Sequence, residues 1–188
     1  MKIVLIGAGG DIGKAVRREL EPRHELITAG RSSGDIHVNM ADMASVRAMY
    51  AETGPVDAVV SAAGNVHFGP LSEFTQETFM LGLQDKVMGQ VNLVLAGMDV
   101  VNDAGSFTLT SGVLDRDPIR MGAAAATANG ALGGFVVGDH PVITLATLED
   151  SLSGSFELIG RQDLPMLIRE TARKFQWTMA EGSVWRRC

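Results

Sequence analysis

The feature that most constrains this chain is its first thirteen residues. Lys2-Ile3-Val4-Leu5-Ile6 is a short, β-branched, apolar run, and Gly7-Ala8-Gly9-Gly10-Asp11-Ile12-Gly13 follows at once. A continuous apolar run of this length fits a strand covered on both faces. From Asp11 to Leu20 the spacing turns helical, with Ile12, Val16 and Leu20 on one side, until Pro22 stops it. Gly7, Gly10 and Gly13 lie three apart at the joint between strand and helix. One glycine permits the tight turn, a second lets backbone N–H groups approach a phosphate, and a third lets helix and strand pack closely. The positive end of the helix dipole then faces the anion. Strand, turn and helix together point to a dinucleotide site; the alternative is a plain strand–helix turn. A P-loop is excluded because it needs Gly at Ala8 and Ser or Thr at Ala15, and no serine has the neighbours of a G-x-S-x-G elbow.

The rest of the chain alternates in the same way. Strands are expected at Glu25–Ala29, Ile36–Asn39, Asp57–Ala62 and Gly105–Ser111. Helices are expected at Met43–Thr53, Thr75–Asn102 and 120–137, with Phe79, Leu83, Val87, Val91, Leu95 and Met98 stepping along the second. This order specifies an α/β fold of Rossmann type, a doubly wound parallel sheet between two helical layers. The 188 residues suit one domain with a real core, 46% of them hydrophobic. The net charge of −6 works against nucleic-acid binding. Cys188 is the sole cysteine, so neither an internal disulfide nor a cysteine zinc cluster can form, and no metal is expected. No apolar run approaches the ~20 residues of a membrane span, so a cytoplasmic protein is expected. The second strand ends in Ala29-Gly30-Arg31-Ser32-Ser33. In such folds an acidic residue there binds the ribose of NAD, whereas Arg31 and Ser32 suit the 2′-phosphate of NADP. Arg31 is otherwise an exposed arginine in a turn.

These motifs, in this order, resemble the short-chain dehydrogenase/reductase family over roughly residues 1–135. Gly7 and Gly13 match that family's Gly-rich turn, with Ile6 in place of its threonine and Asp11 in place of one glycine. Ser61-Ala62-Ala63-Gly64-Asn65 resembles its segment after the fourth strand. Val38-Asn39-Met40-Ala41-Asp42 resembles its adenine-side segment, and Phe107-Thr108-Leu109-Thr110-Ser111-Gly112 its fifth strand and serine. The resemblance implies a cofactor held by Gly7, Gly10, Asp11, Ile12, Gly13, Arg31, Ser32, Asn39, Ala62, Ala63 and Gly64, with NADP preferred to NAD. It implies Ser111 as a catalytic residue, a small carbonyl or alcohol substrate, and a homodimer or homotetramer formed through the helices at 75–102 and 120–137.

Two departures stand against the family pattern. Its tyrosine and lysine, which supply the proton and hold the ribose, fall on Ala125 and Asn129. Lys86 replaces an asparagine three residues before Gly89. Alanine has no proton to give, and a missing general acid costs on the order of 10²- to 10⁴-fold in rate. Tyr50, the sole tyrosine, belongs to an earlier helix. Lys86, Asn129 and, less directly, His67 are the remaining candidates near the site. The chain is therefore either an oxidoreductase with an unusual proton donor or a non-catalytic dinucleotide-binding module. The second departure is the tail from about residue 136, where the motif likeness ends. A sixth strand is expected at Pro141–Ala146 and a helix at Asp163–Ala180. The tail is expected to be a diverged or frame-altered ending.

Overall fold

A computed structural model describes residues 1–137, 143–150, 155–159, 177–180 and 184–187. The first strand, β1 (Lys2–Ile6), forms as its composition demands, and its four apolar side chains are sealed from water. They divide by parity. Val4 and Ile6 join one core with Val46, Met49, Tyr50, Val59, Leu93, Phe107 and Leu132. Ile3 and Leu5 join the other with Ala8, Leu20, Ala58 and Val60. The strand's period of two thus feeds two helical layers at once. Each such side chain contributes about 1.5–3 kcal/mol of burial.

The helix α1 (Asp11–Leu20) packs on the Ile3 side. Next come β2 (Glu25–Gly30), the two-residue β3 (Ile36–His37), α2 (Met43–Thr53) and β4 (Val56–Ser61). Asp42 caps α2 by accepting the Ala44 N–H. A helical run then extends from α3 (Gln76–Gly82) through a π-helical turn (Leu83–Met88) into α4 (Gly89–Gly97). Thr75 and Thr78 close its start with a capping box. Beyond it lie β5 (Val101–Gly112) and α5 (Ala123–Val137).

The strand order is β3-β2-β1-β4-β5-β6, with β6 at Ile143–Asp150, and all of these pairs are parallel. The sheet is thus doubly wound about β1 and β4, which places the crevice at their carboxyl ends. Three further strands, β7 (Ser155–Ile159), β8 (Trp177–Ala180) and β9 (Val184–Arg187), extend it with antiparallel pairings.

Three expectations change. The long helix ends at Gly97, not at Asn102, because Val101 pairs with Val56 and opens β5 four residues early. The sixth strand is described over Ile143–Asp150 and so runs past its expected end at Ala146; Pro141 and Val142 lie outside the described residues. The helix expected to reach Ala180 is a strand over Trp177–Ala180, where pairing with β9 overrides the local helical spacing. The remainder of that expected helix, 163–176, lies outside the described residues, as does Cys188. No helix among the described residues is long and apolar enough to cross a membrane.

Candidate functional site

The Gly-rich turn is built so that no side chain intrudes. Gly7 has φ +80°, and a Cβ there would lie 2.8 Å from the Ala62 carbonyl oxygen. A Cβ on Gly13 would overlap the Gly7 carbonyl oxygen and lie 2.7 Å from its carbon. Both glycines are therefore required by the turn itself. Gly10 is the N-cap of α1 and offers no capping side chain to the free N–H groups that follow. An uncapped helix start bared by glycine is a site that an anionic ligand can complete.

This turn is the floor of a cleft of about 430 Å³. Gly30, Arg31, Ser32 and Ser33 form one wall at the end of β2. Ala63, Gly64, Asn65 and Asp85 form the other, with Val38 and Met40 behind. The first wall is stiffened from below, because Asp35 accepts both the backbone N–H and the hydroxyl of Thr28, each at 2.8 Å. These bonds hold the Asp35 carboxyl below its ordinary range.

Of the residues expected to hold a cofactor, Gly7, Gly10, Arg31, Ser32, Ala63 and Gly64 line this cleft. Asp11, Ile12, Gly13, Asn39 and Ala62 do not. Gly13 shapes the turn, and the Asn39 side chain is taken up by the Ala41 N–H at 3.3 Å. Asp85 went unforeseen. It is 5% exposed, and it binds Arg31 and Asn65.

A second cluster lies between the ends of β4 and β5 and the helix α5. The Lys86 ammonium donates to Asn129 Oδ1 at 2.6 Å. Ser111, 3% exposed, has its hydroxyl 3.4 Å from the Asn129 carbonyl oxygen, towards which it donates. Gly64 makes room for Lys86, since a Cβ there would meet Lys86 Cγ at 2.8 Å. Burial pushes the Lys86 ammonium down to about 8, and the nearby Asp115 carboxylate opposes that fall. The β5 end is held in register by Gln90, which both accepts from the Thr110 N–H (2.8 Å) and donates to its carbonyl (3.0 Å).

The π-helical turn explains how two neighbouring residues serve two places. Asp85 faces the glycine-floored cleft, and Lys86 faces Asn129. A π turn widens the helix and re-aims side chains, a device common at functional sites. Ala125 lies one helical turn before Asn129 on α5 and is buried. Tyr50 is buried among α2 and α4, where its hydroxyl donates to the Leu93 carbonyl at 2.8 Å, and burial raises it far above its ordinary value. His67 stacks edge-on against Phe74, with ring centroids 5.1 Å apart.

No family model and no curated protein sequence matches the chain. Solved structures do. Protein lin1944 from Listeria innocua is 39% identical with a TM-score of 0.75, over 97% of this chain and 95% of that one. The likeness therefore runs past residue 136, where the motif resemblance ends. A small-chain dehydrogenase in complex with NADPH superposes at TM-score 0.68 and 23% identity, over 72% of this chain and 62% of its own. A short chain dehydrogenase from Burkholderia cenocepacia J2315 in complex with NADP gives TM-score 0.65 and 20% identity, over 73% and 66%. The parallel strand order and these likenesses give the chain the fold of the short-chain dehydrogenases/reductases.

Proposed function

We propose that this protein is an NADP(H)-dependent oxidoreductase acting on a small carbonyl or alcohol substrate. The observation that carries the reading is the glycine floor at the bare start of α1, facing a wall of Arg31, Ser32 and Ser33. A pyrophosphate suits the first and a 2′-phosphate the second. The complexes of structural neighbours with NADPH and NADP support the same cofactor. The residues fit it: Gly7, Gly10, Ala63 and Gly64 leave space along the cleft, and Arg31 and Ser32 offer donors at its rim.

A bound nicotinamide ring supplies or accepts the hydride. The chain's own residues must then manage a proton at the substrate oxygen. Ser111 offers a hydroxyl to hold that oxygen. Lys86 holds an exchangeable proton at Nζ, and Asn129 fixes the ammonium in place. A group with its pKa near the working pH is suited to general acid work. A second reading, a non-catalytic dinucleotide-binding module, draws on Ala125, which has no proton, and Tyr50, whose hydroxyl is committed to Leu93. A screen of aldehydes, ketones and alcohols by NADPH absorbance separates the two. Turnover on any of them that falls with Lys86→Met and with Ser111→Ala supports the enzyme. Tight NADPH binding with no turnover on any supports the module.

The assembly we infer is a homodimer or homotetramer in the cytoplasm, formed through the helical run 76–97 and α5. Leu81, Met88 and Leu95 stand exposed along that run and Met98 just beyond it, an apolar surface suited to a second copy.

A further inference from the structure

The cleft is crossed from wall to wall by an ion pair. Arg31 projects from the end of β2, and its Nη2 donates to Asp85 Oδ1 on the π-helical turn opposite. Both residues line the same cleft. The two ends of the pair are unlike. The Asp85 side chain is 7% exposed, that of Arg31 61%. Asp85 Oδ2 accepts the Asn65 backbone N–H at 2.9 Å and the Asn65 side-chain amide at 2.8 Å. The carboxylate is therefore the fixed post, and the guanidinium is the arm that can swing.

We propose that the Arg31–Asp85 pair is a bar across the nucleotide cleft, which a dinucleotide must open to enter. The proposal rests on the dinucleotide reading of this cleft and adds Asp85 as a residue that sets its affinity. Opening is feasible because neither partner is orphaned. Asp85 keeps both donors from Asn65, so its buried charge stays hydrogen-bonded, and the exposed Arg31 is received by water. A ligand carrying a 2′-phosphate gives the released guanidinium a new anion, in bidentate geometry that a ribose hydroxyl cannot match. NADPH therefore recovers what the opening costs, and NADH does not. The bar lowers the affinity for both, and Arg31 alone supplies the preference between them. Such an arrangement combines a repulsive element with an attractive one at a single side chain.

The test is fluorescence titration of NADPH and of NADH against the wild type, Asp85→Asn and Arg31→Ala, each checked for a cooperative thermal transition. Asp85→Asn is isosteric and keeps a partner for Asn65. Arg31→Ala changes an exposed side chain and guards against a fold defect at Asp85. The bar predicts that Asp85→Asn tightens both dinucleotides, by about two- to fivefold for an ion pair of this exposure. It predicts that Arg31→Ala tightens NADH by a similar factor and abolishes the NADPH preference. A loss of NADPH affinity in Asp85→Asn with NADH unchanged would overturn the bar and make Asp85 an orienting partner of Arg31. Unchanged affinities in both variants would overturn it too, while leaving the dinucleotide reading intact. If neither dinucleotide binds any of the three proteins, the dinucleotide reading falls and the bar falls with it.

Discussion

Lys86 is the buried cation in the proposed proton chemistry, and its stability signature can be worked from the structure. The perturbation is Lys86→Met, which keeps the stem's volume and removes the charge. The folded protein lowers the ammonium from 10.5 to about 8 by burial, with Asp115 opposing and the neutral Asn129 amide accepting a hydrogen bond from it. At about 1.36 kcal/mol per pH unit this is an upper bound of about 3.4 kcal/mol, and partial exposure reduces it to about 1–2 kcal/mol. The sign follows from proton counting. Between about 8 and 10.5 the unfolded chain holds a proton on this lysine that the folded chain has lost, so stability rises with pH. The wild type should gain about 1–2 kcal/mol over Lys86→Met as pH moves from 7 towards 10.5. Urea unfolding of both proteins across that range reads the difference, and other titrating groups cancel in the comparison. Parallel curves would refute the burial of this ammonium and, with it, the argument that Lys86 works near neutral pH.

Other perturbations separate the turn from its surroundings. Gly13→Ala forces a Cβ into the Gly7 carbonyl, so dinucleotide binding should vanish and stability should fall by about 3 kcal/mol, measured by titration and urea unfolding. Asp42→Ala removes the cap on the Ala44 N–H and should cost about 1 kcal/mol in the same unfolding assay, with dinucleotide affinity unchanged. Arg31→Asp places a negative charge where a 2′-phosphate is expected. It should weaken NADPH relative to NADH by about tenfold or more, and an unchanged NADPH affinity would remove Arg31 from the site.

The parts of this protein that were legible in sequence are those whose causes are local. β1, α1 and α2 lie where apolar period, glycine and proline say they should. The glycine floor was legible for the same reason, since its geometry is a property of one turn. Asp85 was not legible. On a regular helix it sits two residues from Leu83 and faces away from the apolar side, and only the π turn carries it inward to Arg31 and Asn65. Lys86 was legible as a misplaced charge, but its partner Asn129 is 43 residues away. Val101 and Trp177 were misread as helical because strand pairing across the chain decided their conformation. In each case tertiary pairing overrode local preference.

We propose that the glycine-floored cleft holds a nicotinamide dinucleotide carrying a 2′-phosphate. The most direct measurement is a fluorescence titration of the purified full chain with NADPH and with NADH at one ionic strength. Saturable binding of one dinucleotide per chain is expected, with NADPH the tighter by about tenfold. Equal affinity for the two would contradict the role of Arg31, and no binding of either would contradict the cleft itself.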